Sequence, residues 1–254
     1  MKSEKQNLGI TAIVQARFGS TRLPGKILKE IYHKPMLWHV VNRLSHSRLI
    51  DKIIVATTDL AEDDQVQKFC EANNFLFYRG SSEDVLSRYY NAAKSFNAKI
   101  IIRITSDCPV IDFSIIDKML EEFISETRVR KLDYLSNVLT RSFPRGLDTE
   151  IFTFAALEKT YNEAKQIYER EHVTPYIYNH PDIFTLKNFS SEKDYSFHRW
   201  TVDTQEDFDL VEKIYKSLYE KNKLFLLEEI LKLFEEHPAL IEINQNIQQK
   251  KIGE

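Results

Sequence analysis

The chain is short of cysteine, of glycine and of long apolar runs, and each scarcity removes a class of protein. Only Cys70 and Cys108 occur among 254 residues. They form no CxxC pair and no Cys/His metal spacing, which excludes a disulfide scaffold and a zinc site and fits a reduced, cytoplasmic compartment. No apolar run approaches the ~20 residues of a membrane span. The start, MKSEKQNLG, is polar and has no signal-peptide pattern. Basic residues are not in excess: 35 Lys and Arg against 38 Asp and Glu leave a net charge of −3, unlike a general nucleic-acid binder. Internal repeats and low-complexity tracts are missing too. What remains, 43% hydrophobic and 29% charged residues, is the composition of a globular protein long enough to bury its own core.

Of six glycines, two fall in one stretch, AIVQARFGSTRLPGKIL (12–28). An apolar run there gives way to Gly19, Ser20, Thr21 and Gly25 around Arg17, Arg22 and Lys26. Backbone N–H groups, hydroxyls and cations directly after a strand suit an anion, most often a phosphate chain. The loop is not a Walker A motif, because Gly19 and Gly25 stand one residue too far apart and Ile27 follows Lys26 where a hydroxyl should be. Nor is it GxGxxG. Its distinctive part is Arg22 and Lys26, with Pro24 stiffening the turn between them. Cations placed in advance are what the departure of pyrophosphate needs. A solvated basic loop is the plainer reading, and only the other motifs tip the balance.

Short β-branched runs alternate with amphipathic stretches through the first half. ITAIV (10–14), KIIVAT (52–57), FLFYRG (75–80) and KIIIRIT (99–105) read as strands; 36–47, 62–73, 83–96 and 113–125 read as helices. YLSN (134–137) fits a further strand, as does RWTVDT (199–204), with closing helices at 205–219 and 225–236. The alternation predicts an α/β fold, a mostly parallel sheet with helices on both faces. The whole chain, 1–254, is expected to be one domain: a nucleotide-binding half over 8–137, an insertion over 138–198 built onto the sheet, and a returning strand with C-terminal helices over 199–254. The polar tail after Asn244 is expected to fray.

Ligands of open α/β sheets sit at the carboxyl ends of the strands. Four polar loops coincide with those ends, and two carry a carboxylate directly after a strand: Asp107 in RITSDCP and Asp203 in RWTVDT. Single carboxylates at such places are usually helix caps, the role expected of Asp112 and Thr204. Two of them beside a phosphate loop point to Mg²⁺, which takes one or two carboxylates with substrate phosphates and water. The nucleotide is expected against Ala16, Arg17, Gly19, Ser20, Arg22 and Lys26, with Thr58 and Asp59 after the second strand. Ser82 and Asp84 complete that set, although SSEDVLSR (81–88) also reads as a helix start with a serine cap. Glu62, Asp63 and Asp64 are expected to be first-turn residues of a helix. Cys70, Cys108 and Trp200 are expected to pack. In the insertion, Arg141, Arg145, Glu150, Glu171 and His172 are candidates for an acceptor pocket, with Asp148, Glu169 and Arg170 nearby; surface ion pairing is the plain alternative for each.

The stretches ARFGSTRLPGK, KPMLWHV and IIVATTD resemble the cytidylyltransferases that activate acidic sugars, the 3-deoxy-manno-octulosonate and acylneuraminate enzymes among them. RITSDCP, FPRGLDTE, EHVTPY and RWTVDTQED resemble more closely the spore coat polysaccharide branch of that family. The resemblance spans about residues 8–247. It implies a Rossmann-like nucleotide-sugar transferase fold, a CTP donor, Mg²⁺ and a homodimer. By the same resemblance Arg17, Ser20, Arg22 and Lys26 hold the triphosphate, and Asp107 and Asp203 the metal. The expected activity is transfer of CMP from CTP to a sugar or sugar acid with release of pyrophosphate. Three alternatives stay open on the sequence: another nucleotide triphosphate with a sugar phosphate, a glycosyltransferase of similar architecture (though no D-x-D motif is present), and a non-catalytic nucleotide-binding subunit.

Overall fold

A computed structural model describes residues 8–249. The strands are β1 (Ile10–Gln15), β2 (Glu30–Ile31), β3 (Lys34–Pro35), β4 (Lys52–Thr58), β5 (Leu76–Gly80), β6 (Ile100–Thr105), β7 (Tyr134–Ser136), β8 (Glu150–Thr153) and β9 (Leu186–Asn188). The α-helices are α1 (Met36–Leu44), α2 (Asp64–Ala72), α3 (Val85–Ser95), α4 (Phe113–Val129), α5 (Phe154–Glu163), α6 (Ile167–His172), α7 (Pro175–Asn179), α8 (Gln205–Leu218) and α9 (Leu227–Glu236). None of them is long and apolar enough to cross a membrane.

The sheet has the order β5-β4-β1-β6-β8-β7-β9, with β2 and β3 forming a separate small hairpin. β5, β4, β1 and β6 run parallel, and the near-continuous apolar sequences of β4, β1 and β6 fit strands covered on both faces, while β5, at the edge, stays partly exposed. Ala12 and Val14 of β1 join one buried cluster and Ile13, between them, joins another, so the two clusters lie on opposite faces. The first cluster takes up α1, α4, α8 and α9, the second α3 and α5.

The insertion does extend the sheet, and more than its sequence showed. β8 pairs antiparallel with both β6 and β7, and β9 adds the edge. RWTVDT is not a strand of the sheet. It runs extended across loops, with Trp200 N–H on the Arg145 carbonyl at 2.7 Å and Val202 N–H on the Asp107 carbonyl at 2.8 Å. Gly146 permits this crossing: its φ is +105°, and a Cβ there would lie 2.6 Å from Thr201 N. Asp112 and Thr204 cap α4 and α8 as expected. The cap of α3 is Asp84, accepting from Ser87 N–H, rather than a serine; Ser81 Oγ accepts from Asp84 N–H instead. After Asn244 the chain does not fray at once. Asn244 donates to the Arg199 carbonyl, and Gln249 accepts from Arg199. The polar N-terminal stretch 1–7, read above for a signal peptide, and residues 250–254 lie outside the described residues.

Two buried histidines make the fold acid-sensitive. His39 is 1% exposed and His198 6%, and burial pushes both pKa values down to about 4. The unfolded chain takes up these protons near pH 6.5, the folded chain only near 4, so stability falls as pH drops across that interval. The loss is roughly 2–3 kcal/mol per histidine by pH 4.5. Urea midpoints at pH 7.5 and 4.5 should differ accordingly, and His198→Phe should narrow the difference. Identical midpoints at both pH values would contradict it.

Candidate active site

The carboxyl ends of β1 and β6 lie side by side, Val14 opposite Ile104 and Gln15 opposite Thr105. A cavity of about 230 Å³ opens above them, with the loop after β1 on one side and Asp107 and Asp203 on the other. Arg17, Gly19, Ser20, Arg22 and Lys26 all line it. The loop is shaped by Gly25 (φ +66°), whose N–H reaches the Phe18 carbonyl at 3.2 Å. A Cβ at Gly25 would press on the Phe18 ring at 2.9 Å.

Lys26 is the centre of the site. Its ammonium donates to Asp107 Oδ2 at 3.0 Å, Asp203 Oδ1 at 2.9 Å and the Val202 carbonyl at 2.8 Å, which uses all three of its protons. Only 9% of the residue is exposed. Burial works against the charge, but Asp107 and Asp203 outweigh it and hold the lysine pKa above its ordinary value. Burial likewise opposes the Asp107 anion, and Lys26 reverses that, leaving the carboxyl below its usual range and ionised at neutral pH. Asp203 Oδ2 takes two further cations, Arg22 at 3.0 Å and Arg199 at 2.9 Å. Arg199 is itself clamped by the fully buried Asp207, which also accepts from Asp203 N–H. The docking of 199–203 onto the Asp107 loop therefore brings two distant carboxylates to one cation.

Asp107 and Asp203 would suit a divalent ion, since they already converge on one positive group. Among the described residues no three His, Cys, Asp or Glu side chains gather as a metal cluster. The donor set thus fits a hard cation that completes its shell with phosphate oxygens and water, as Mg²⁺ does.

A second cavity, of about 630 Å³, adjoins the first, sharing Gln15 and Arg17. Its nucleotide-half wall includes Ser82, Val85 and Arg88; its other wall is Ile167, Glu171 and His172 of α6. Burial pulls the His172 pKa down, so its imidazole is neutral at neutral pH. The backbone after His172 is strained: buried Val173 has φ +73°, unusual for a β-branched residue, and Thr174 N–H closes a three-residue turn on the His172 carbonyl at 2.9 Å. Strain of this sort collects where a side chain must be aimed.

Other expected site residues are otherwise engaged. Ala16 N–H is spent on the Ala56 carbonyl at 3.1 Å. Thr58 is buried and its hydroxyl bonds Asp63, while Asp59 lies exposed outside both cavities. Asp84, besides capping α3, grips Arg170 at 2.6 Å. The insertion candidates do not form one pocket. Arg141 is held in a two-pronged pair by Asp148 at 2.6 and 2.9 Å. Arg145 faces a separate small cavity with His198 and Arg199. Glu150 is buried among Arg103, Tyr134 and Thr174. Glu169 bonds the N–H groups of Lys165 and Gln166. Only Glu171 and His172 reach the cavity beside the phosphate loop.

Sequence reasoning missed two supports. Asp63 stands in the first turn of a helix as expected, but it is also fully buried and accepts from Phe18 N–H at 2.6 Å and Thr58 N–H at 3.3 Å, tying the first loop to the second. Asp207 was hidden as the third residue of a capping box. A carboxylate spaced four residues from Asp203, just inside a helix, was the available signal.

Comparison with known proteins agrees with this geometry. A family model described as cytidylyltransferase matches residues 11–251. An uncharacterized protein of Methanocaldococcus jannaschii is 38% identical over 96% of this chain and 98% of its own length. The spore coat polysaccharide biosynthesis protein SpsF of Bacillus subtilis is 30% identical over 84% of this chain and 88% of its own. The solved structure of a cytidylyltransferase from Leptospira borgpetersenii superposes with a TM-score of 0.87 at 34% identity, covering 96% of this chain and 99% of that one. Matched by that family model over 11–251 and by relatives along nearly its full length, the chain belongs to the cytidylyltransferase family.

Proposed function

We propose that this protein transfers CMP from CTP to a hydroxyl of a sugar or sugar acid, releasing pyrophosphate. The observation that carries the reading is the meeting of Arg22 and Lys26 with Asp107 and Asp203 at the sheet edge, next to a cavity of nucleoside size. Before the nucleotide arrives, the two cations are neutralised by the two carboxylates. The triphosphate lies along the loop, and Arg22 and Lys26 turn from carboxylate to phosphate oxygens. Asp107 and Asp203 would then be free to hold Mg²⁺, which would draw negative charge from the phosphates. The acceptor hydroxyl oxygen attacks the α-phosphorus and gives up its proton to solvent; a P–O bond forms, and the bond to the bridging oxygen that leaves with the β-phosphate breaks. The leaving pyrophosphate departs against Arg22 and Lys26. Glu171 and His172 line the insertion side of the adjoining cavity and are the polar groups there that an acceptor could meet. The resemblance to the SpsF protein of spore coat polysaccharide biosynthesis supports a carbohydrate acceptor.

Pyrophosphate release from CTP and Mg²⁺, measured with a panel of neutral sugars and sugar acids, tests the proposal. Release with at least one of them is expected, and none with any nucleotide or acceptor would sink it. A narrower test concerns Arg22, which reaches phosphates that CMP lacks. Arg22→Ala should weaken CTP binding by roughly 1.5–3 kcal/mol while leaving CMP nearly unaffected. Equal losses for CTP and CMP in calorimetric titrations would remove Arg22 from the β and γ phosphates.

A further inference from the structure

Arg88, on α3, has Asp63 and Asp59 in its surroundings but makes no direct ion pair among the described residues. The residue is 1% exposed, and its Nη1 donates to the Ser81 carbonyl at 2.6 Å. Its Nε and Nη2 are buried without any hydrogen-bond partner. The neighbouring Arg79 shows what a purely structural arginine looks like here. Its Nε bonds the Thr58 carbonyl, its Nη1 Asp64 and Gln67, and its Nη2 the Leu60 carbonyl. Leaving two donors of a buried guanidinium unmade is costly, and a partner reaching Arg88 from the cavity it lines would offset that cost.

The place of Arg88 tells which partner. It lines the 630 Å³ cavity, and so does Gln15, whose Oε1 is also buried and unpartnered. Gln15 and Arg17 line the phosphate-loop cavity as well. A nucleotide seated on the loop by its phosphates therefore carries its nucleoside past Gln15 towards Arg88. The Nε–H and Nη2–H of a guanidinium point the same way and match two adjacent acceptor atoms. Cytosine offers such a pair, O2 and N3, and beside it the N4 amino group as a donor.

We propose that Arg88 reads the base, donating through Nε and Nη2 to cytosine O2 and N3, while the Gln15 side-chain oxygen accepts from N4. Uracil would set its N3–H against an Arg88 donor and its O4 against the Gln15 oxygen, two mismatches at buried groups. The assignment rests on the cytidylyl reading above and names the residues that enforce it. A carboxylate also presents two adjacent oxygens, so an acid group on the acceptor is the competing occupant of the same fork; the continuity with the phosphate loop favours the base.

Calorimetric titration of the whole protein with CTP, UTP and inorganic tripolyphosphate, without acceptor, tests this. Wild type should prefer CTP to UTP. Arg88→Gln and Arg88→Lys should each lose about tenfold or more of that ratio, with tripolyphosphate binding unchanged. Arg88→Lys keeps the charge and lacks the planar fork, so it separates the two. Gln15→Met, at the rim and less tied to the fold, should lower the ratio severalfold. An unchanged ratio in the Arg88 variants overturns the proposal and leaves the fork to an acceptor carboxylate. Loss of tripolyphosphate binding together with CTP also overturns it, marking Arg88 as a support of the loop. If wild type itself shows no preference for CTP, the cytidylyl reading is what fails.

Discussion

Asp107→Asn and Asp203→Asn should each give a folded protein that binds CTP and turns it over at least about 100-fold more slowly. Asn keeps the shape of the side chain and removes its charge, so packing is held constant. Asp203 is not a cap, since Thr204 and Asp207 close the start of α8 between them, and Asn is not expected to serve in its place. What the substitution removes is one of two anions that hold Lys26 now and, in the proposed reaction, Mg²⁺. A hundredfold loss corresponds to about 2.7 kcal/mol of transition-state stabilisation, within what a metal contributes to phosphoryl chemistry. Nucleotide affinity should hold or rise, because Arg22 and Lys26 lose a competing carboxylate. Steady-state kinetics with titrated CTP separates the two effects. Turnover within about threefold of wild type for either variant would remove that carboxylate from the chemistry.

Much of this arrangement was legible from the residues. β1, β4 and β6 are dense in β-branched and other apolar residues because they lie inside the sheet with both faces covered, and that density is visible without coordinates. The first loop announced itself by spending two scarce glycines among cations. The insertion was harder to read for a physical reason. β8 is four residues long and β9 three, too short to display a period of two, and the helices α6 and α7 have six and five residues. RWTVDT was misread because extended backbone and sheet pairing look alike in sequence. Its partners are single carbonyls on two loops, Arg145 and Asp107, rather than a neighbouring strand.

Residue roles were less legible than residue positions. Thr58, the last residue of β4, and Asp84, after β5, were expected to meet the nucleotide, and Asp63 to sit in the first turn of a helix. Instead Asp63 binds the two loops together, Thr58 bonds to it, and Asp84 caps a helix and holds Arg170. A site rim needs as many polar residues to fix its loops as to touch a ligand, and composition does not separate the two. Asp63 is fully inside with its carboxylate oxygens spent on Phe18 and Thr58, whereas Arg17 and Arg22 remain exposed.

Lys26→Met should be the most damaging single change, costing both stability and activity. Methionine fills the space of the lysine stem and removes the ammonium. Asp107 and Asp203 then face each other without the cation that each now contacts at 3.0 and 2.9 Å. Breaking a buried ion pair by removing one partner typically costs about 3–5 kcal/mol, because the remaining charge is left uncompensated. Asp203 keeps Arg22 and Arg199, so the lower part of that range is expected. Adding Asp107→Asn to Lys26→Met should restore part of the lost stability, which a mere packing defect at Lys26 would not permit. The same variant reports on the metal without any turnover. In wild type the ammonium occupies the place where the two carboxylates converge, so Mg²⁺ without nucleotide should barely move the melting temperature. In Lys26→Met that place has lost its cation, and millimolar Mg²⁺ should raise the melting temperature by several degrees, an effect that Lys26→Met with Asp107→Asn should lack. If Mg²⁺ stabilises neither form, the carboxylate pair does not hold the ion by itself. If it stabilises the double variant equally, it binds elsewhere.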